Sequence, residues 1–335
     1  MHQQSAQPLV ALDRGQPMAL SFAQERQWFL WQLDPASAAY HVPTALHLRG
    51  ELDISALERA FQALVLRHEP LRTTFVEDGE QTWQVIHPAL AMPVEQARAE
   101  AATLQQCVEQ EIQRPFDLRS GPLMRVKLLV IAPEHHVLVI TQHHIISDGW
   151  SMHVMVDELV ALYQGQAQLP ALLIQYADYA VWQRNWMAAG EKQRQLDYWQ
   201  RRLGDEHPVL ELPLDHSRPA VQSYRGARQQ VQLDPALVND LKALAQREGV
   251  TLFMLLLASF QTLLHRYSGQ SRLRVGVPIA NRNRLETERL IGFFVNTQVF
   301  QGDLDGQMAF SQLLAQVKQR ALEAQAHQDL PSSSW

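Results

Sequence analysis

Gln142-His143-His144-Ile145-Ile146-Ser147-Asp148-Gly149-Trp150-Ser151 is where one periodicity hands over to another. Before it, residues 136–143 read as an apolar strand, paired with residues 123–131 in a hairpin across Ala132-Pro133-Glu134. After it, Met152, Met155, Val156, Leu159 and Tyr163 recur at helical spacing, and Gly165 closes the helix. Side chains alternate along a strand, so His143 and His144 cannot both face one cleft if the strand runs to its end. That argues against a metal site built from the two neighbours. One histidine faces the chemistry and the other packs or bonds behind it. A histidine handles protons near neutral pH, an aspartate holds geometry or charge, and a glycine lets a backbone or substrate approach closely. The run points to group-transfer chemistry. Two satisfied histidines before an ordinary strand-to-helix turn are the alternative that these residues alone leave open.

The composition fits a soluble, globular chain. Of 335 residues, 46% are hydrophobic and 19% charged. That length favours two lobes over one core. The net charge of −6 argues against nucleic acid as the main partner. The single cysteine, Cys107, forms no internal disulfide and supports no zinc cluster, so no metal is expected. Residues 1–16 lack the basic-then-apolar pattern of a secretory signal, and the most apolar run, residues 252–260, is too short to span a bilayer. The expected setting is cytoplasmic, with no membrane contact.

Outward from the central run, residues 1–18 read as a linker, and a helix starts near Ser21. Residues 44–49 read as a strand. Ser55-Ala56-Leu57-Glu58 matches a capping box opening an apolar stripe through Leu57, Phe61, Leu64 and Val65. Residues 71–76 and 82–86 form a hairpin through Glu77-Asp78-Gly79-Glu80, and residues 94–113 read as helical. Further on, residues 191–203 and 235–248 read as helices and 225–233 as a strand. Residues 251–267 read as a helix buried on most sides, 272–278 and 291–300 as strands, and 310–325 as a helix. Strands and helices mix in two halves, an α/β (α+β) class.

Five stretches in this order resemble the condensation domains of non-ribosomal peptide synthetases. They are Ser21-Phe22-Ala23-Gln24-Glu25-Arg26-Gln27-Trp28-Phe29-Leu30, then Arg67-His68-Glu69-Pro70-Leu71-Arg72-Thr73-Thr74-Phe75, then the histidine run. Tyr176-Ala177-Asp178-Tyr179-Ala180-Val181-Trp182 and Ile291-Gly292-Phe293-Phe294-Val295-Asn296-Thr297-Gln298 complete the set. The resemblance implies two chloramphenicol-acetyltransferase-like lobes in a V, with an N-terminal lobe over 19–175 and a partial C-terminal lobe over 176–335. It implies an active site midway along a tunnel between them. A donor carrier delivers an aminoacyl or peptidyl thioester, an acceptor carrier delivers an aminoacyl thioester, and an amide forms. No cofactor binds directly. The substrates ride on the carriers' phosphopantetheine arms, loaded by adenylation domains of the same assembly line.

By the same resemblance, His144 faces the tunnel and His143 supports the strand end. Asp148 pairs with an arginine, for which Arg72, Arg282 and Arg284 are candidates. Gly149 offers its backbone N–H near the reacting centre, and Ser151 closes the run. Trp28 and Trp31 read as core, as do Tyr176, Tyr179 and Trp182 where the lobes meet. Asn296 either lines the tunnel or bonds to backbone, and Asn281-Arg282-Asn283-Arg284 reads as a polar, basic loop.

The resemblance breaks near the end. His327-Gln328-Asp329-Leu330-Pro331 matches a sixth motif, but Ser332-Ser333-Ser334-Trp335 departs from it and no seventh follows. The expectation is an incomplete second lobe, with an unpaired sheet edge, open apolar surface and reduced stability and activity. Three alternatives to the condensation catalyst stand beside it: a related carrier- or coenzyme A-dependent acyltransferase, an epimerisation domain, and a truncated, non-catalytic docking module.

Overall fold

The structure is a computed structural model and describes residues 7–166 and 168–334. Its elements run β1 (Met18–Ala19), α1 (Phe22–Leu33), β2 (His41–Arg49), α2 (Ile54–Arg67), β3 (Thr73–Asp78), β4 (Gln81–Ile86), β5 (Val94–Arg98), α3 (Leu104–Gln113), β6 (Met124–Ala132) and β7 (His135–His143). Then follow α4 (Gly149–Tyr163), α5 (Tyr176–Trp186), α6 (Lys192–Leu203), α7 (Pro235–Arg247), α8 (Leu252–Ser268), β8 (Arg272–Ile279), β9 (Asn296–Asp303) and α9 (Phe310–Gln325). The chain forms two compact units. The first holds the residues up to Lys192 together with Ala280–Val295; the second holds Gln193–Ile279 and the residues from Asn296 on. The sequence places the change of lobe after residue 175, whereas α5 groups with the first unit, and residues 280–295 return to it.

In the first unit a four-stranded sheet has the order β2-β7-β6-β5. β7 is antiparallel to both neighbours. Its near-continuous apolar sequence reflects burial on both faces. Leu138 and Ile140 join the main core with α2 and α4, while Val137 and Val139 pack with Leu129 beneath α3. That alternation sets the sheet's depth and delivers the chain, at His143, to the start of α4. A second sheet, β1-β4-β3, lies in the same unit. The second unit pairs β8 with β9 and packs α6, α8 and α9 around Trp199, Leu255, Ala258, Leu273, Phe300 and Leu314.

Several elements differ from the sequence reading. Asp53, not Ser55, caps α2, accepting the Ala56 N–H. Residues 94–98 are a strand parallel to β6, not helix; buried Val94 anchors an edge whose Glu, Gln, Ala and Arg residues favour helix when isolated. Leu71 lies in a 3₁₀ turn, Glu69–Arg72, before β3. The described part of the expected N-terminal linker is docked. Leu9 is buried, the Trp182 indole donates to the Gln7 carbonyl, and Arg14 pairs with Asp178 at 2.7 Å and Glu69 at 3.0 Å. Residues 225–233 carry a strand pattern but pair with no described strand and lie exposed, so solvent takes their backbone groups.

The helix expected to be buried on most sides, α8, buries one stripe only. Phe253, Leu256, Phe260 and Leu263 form a second, exposed stripe at helical spacing. Among the described residues no single helix is long and apolar enough to cross a membrane; α7 and α8 meet that test only together, across a 103° bend.

Candidate active site at the β7–α4 turn

His143 is the last residue of β7, and His144 begins the turn. The His144 N–H donates to the Tyr40 carbonyl at 2.8 Å, so the main chain is fixed beside β2. Its imidazole Nδ1 lies 2.8 Å from the Ser147 carbonyl. A carbonyl only accepts, so Nδ1 carries the proton and Nε2 keeps its lone pair. Among the described residues Nε2 has no hydrogen-bond partner. Burial is the main cause that lowers the His144 pKa; the bond to Ser147 and the charge of Asp148 oppose it. The imidazole is therefore neutral at pH 7.

His143 is a different residue in physical terms. It is buried, and its Nδ1 accepts the Ile145 N–H at 3.0 Å. Its ring sits edge-on to His41 and Phe116. Burial, with His41 and His144 nearby, lowers its pKa to about 3. It packs behind the turn, among His41 and Phe116.

Asp148 caps α4, and three donors hold its carboxylate. Oδ1 accepts the Ser151 N–H at 2.8 Å and Arg282 Nη2 at 3.1 Å; Oδ2 accepts the Phe294 N–H at 3.0 Å. Both members of the ion pair are buried. Arg282 reaches further, from Nη1 to the Thr287 and Leu290 carbonyls and from Nη2 to Ser151 Oγ at 2.6 Å. Ser151 Oγ in turn donates to the Gly292 carbonyl and accepts the Gly292 N–H. Asp148 is fully buried and held by three donors, so it is placed to hold the structure, not to take a substrate proton; it joins the turn to residues 280–295.

Of the three candidate arginines, Arg282 is the partner. Arg72 instead donates to the carbonyls of Val65, Leu66 and His87, closing the end of α2. Arg284 lies over Trp182, 4.9 Å from the ring centroid. Asn296 belongs to the second unit. Its amide donates to the Gln328 and Leu330 carbonyls, and its oxygen accepts the Ser332 N–H, so backbone is its observed partner.

Gly149 opens α4 with φ outside the left-handed region, and a Cβ there would meet nothing within 4 Å. The fold itself does not require glycine at this position. Its N–H is one of the helix's first amides, which lack intrahelical acceptors and carry the positive end of the dipole.

Two groups escaped the sequence reading. Phe293, seen only as part of an apolar motif, lies against His144 with ring centroids 4.6 Å apart. Glu158, fully buried on α4, accepts from Arg67 at 2.9 Å and lies 2.6 Å from His68 Nε2. A carboxylate at an otherwise apolar helix position was the available signal for Glu158. Nothing local distinguishes Phe293 from an ordinary core residue. Among the described residues no cluster of His, Cys, Asp or Glu suits a metal ion.

The family model described as "Condensation domain" matches residues 15–334. The chain is 48% identical to part of a linear gramicidin synthase of Brevibacillus parabrevis, covering 97% of this chain and 4% of that protein. The chain therefore spans a small fraction of the length of the synthetase it matches. Among solved structures it resembles the X-domain from teicoplanin biosynthesis at 30% identity and a TM-score of 0.89, covering 97% of this chain and 74% of that one. It also resembles a four-domain nonribosomal peptide synthetase bound to AMP and glycine, at 27% identity and a TM-score of 0.86, covering 96% of this chain and 25% of that one. Motif order and fold agree with these matches, and the chain belongs to the condensation domain family.

Proposed function

We propose that the chain forms an amide bond between a donor aminoacyl or peptidyl thioester and an acceptor aminoacyl thioester in non-ribosomal peptide synthesis. Both substrates are delivered by carrier domains on phosphopantetheine arms, and adenylation domains of the same assembly line load them. The observation that carries this reading is the state of His144: neutral, anchored through Nδ1 and holding an unbonded Nε2.

A thioester carbonyl is already activated, so no covalent enzyme intermediate is needed. The acceptor α-amine has an ordinary pKa of about 8, so a useful fraction is neutral near pH 7. His144 Nε2 accepts a hydrogen bond from that amine and aims its lone pair at the carbonyl carbon. As the C–N bond forms, the carbonyl oxygen becomes an oxyanion and Nε2 takes the amine proton. Collapse re-forms the C=O bond and breaks the C–S bond. The thiolate of the donor arm leaves and takes up the proton. The Gly149 N–H, at the positive end of α4, is our candidate donor to the oxyanion. Asp148, Arg282 and Ser151 hold the turn, and His143 and Arg72 support elements around it. Asn296 supports its own unit, tying residues 328–332 to the start of β9. A cytoplasmic setting suits substrates carried by protein domains.

The test mixes a donor thioester on one carrier with an aminoacyl thioester on another and reads the amide by mass, an endpoint that registers slow turnover. The protein yields amide, and His144→Ala reduces the rate at least ~100-fold. Wild-type turnover in His144→Ala, or no amide from the unmutated protein, overturns the reading.

A further inference from the structure

We propose that Phe293 is a positioning residue for His144 and that Tyr176 sets Phe293, so that the side chain pointing Nε2 toward substrate is controlled from α5. This rests on the role given to His144. The Nδ1 bond to Ser147 fixes one edge of the imidazole, but a single hydrogen bond lets the ring rock about it. Phe293 meets the ring at 4.6 Å and 49°, which blocks that rocking on one side and keeps water from that face. Phe293 also adds to the burial that favours the neutral imidazole, because a protonated ring gains from hydration that burial denies it.

Phe293 is not placed by a β-ladder, since residues 291–295 lie outside any strand. Three consecutive residues are held by side chains instead. Ser151 Oγ grips both polar groups of the Gly292 main chain, Tyr176 grips the Phe293 carbonyl, and Asp148 grips the Phe294 N–H. Tyr176 is completely buried, and its hydroxyl lies 2.5 Å from the Phe293 carbonyl and 2.6 Å from Ser21 Oγ. Ser21 Oγ accepts the Gln24 N–H as the cap of α1, so its own proton goes to Tyr176 and the Tyr176 proton goes to Phe293. Gly292 makes this approach possible. A Cβ at that position would stand 2.0 Å from Tyr176 Cδ2, so only glycine lets the main chain lie on the ring. A chain of contacts therefore runs from Ser21 through Tyr176 and Phe293 to His144, wholly inside the first unit.

The charged and titratable neighbours of His144 are few. Its own run supplies His143 and Asp148, the facing segment supplies Arg282 bound to Asp148, and α5 supplies the neutral Tyr176. Tyr40 contributes its carbonyl. None of the three substitutions proposed below removes a charge from this set.

The experiment is histidine-selective NMR of the whole protein, read beside the amide assay. In Phe293→Leu the His144 Cε1 proton loses its ring-current shift and the His144 titration midpoint rises toward the ordinary histidine value. In the assay kcat falls about 10- to 100-fold with KM little changed. Phe293→Tyr restores both. Tyr176→Phe, which keeps the ring but removes the hydroxyl, moves the His144 signal in the same direction although it does not touch His144. The His143 signal, unchanged in all three variants, reports an intact fold. A His144 shift and midpoint indifferent to both Phe293→Leu and Tyr176→Phe overturn the proposal. Failure of the parent reading looks different: His144→Ala then turns over normally, while the NMR still reports what Phe293 does to the imidazole.

Discussion

Residues 291–295 and 225–233 both carry strand-like sequence, and neither forms a strand. The first stretch lies in the interior of the first unit, with its N–H and C=O groups taken by Ser151, Tyr176 and Asp148. The second lies exposed along its length, with Val231 at 77% and Leu233 at 47% of full exposure. Backbone polar groups must find partners, and these two stretches find them in opposite places. Side chains of buried polar residues replace the ladder in one; solvent replaces it in the other. A strand pattern thus states that a stretch can be extended, while its surroundings decide what holds it.

The comparison breaks most sharply at Arg282. Arg282→Ala leaves Asp148 as a buried carboxylate missing its cation, and the variant loses about 3–5 kcal/mol of unfolding free energy in urea. A loss below about 1 kcal/mol would mean that the segment is held without the ion pair. Gly292→Ala comes next. The added methyl must displace Tyr176 or the main chain, and overpacking of this kind costs about 1–3 kcal/mol. A thermal melt unchanged from the parent would show that the glycine is dispensable.

A smaller, pH-dependent effect belongs to His143. The unfolded chain binds a proton near pH 6.5 that the folded imidazole refuses until about pH 3. The unfolded state therefore holds more protons in that window, so folding stability rises with pH across it and is lost as the pH falls. His143→Gln removes this component, and its urea midpoint varies less between about pH 6 and pH 4 than the parent's. Equal slopes in the two proteins would contradict the assignment.

The smallest effect is expected in the exposed stretch. Val231→Asp changes stability by less than about 0.5 kcal/mol, and trypsin cuts first at Arg225 or Arg228, both exposed outside helix and strand. Early cleavage inside α4 or α5 instead would show that the first unit is the looser one.

What the sequence revealed follows the same division. The helix read over 310–325 matches α9, and the hairpin of β6 and β7 has nearly the expected bounds, because both patterns are local and strongly periodic. The strand β5 escaped, since its partner β6 begins some 25 residues later and its own residues favour helix. At the turn, alternation says only that one of the two histidines faces a cleft, and the family resemblance points to His144. Choosing Arg282 over Arg72 and Arg284 required a contact between residues 134 apart in sequence, which no local pattern encodes. Phe293 was invisible for a related reason. Its ring is as apolar as any core residue, and its importance comes from what it touches.

The passage of the chain through the second unit between Lys192 and Ala280 has a consequence for the order in which the protein is made. As the polypeptide leaves the ribosome, β7 and α4 can form long before residues 280–295 exist. Until these residues emerge, Asp148 has no guanidinium and His144 has no aromatic neighbour. The turn to which we assign the chemistry is thus among the early local structures, while its ordering is a late, long-range event. A nascent chain halted before Ala280 is expected to hold the histidines in sequence yet lack the geometry that distinguishes them.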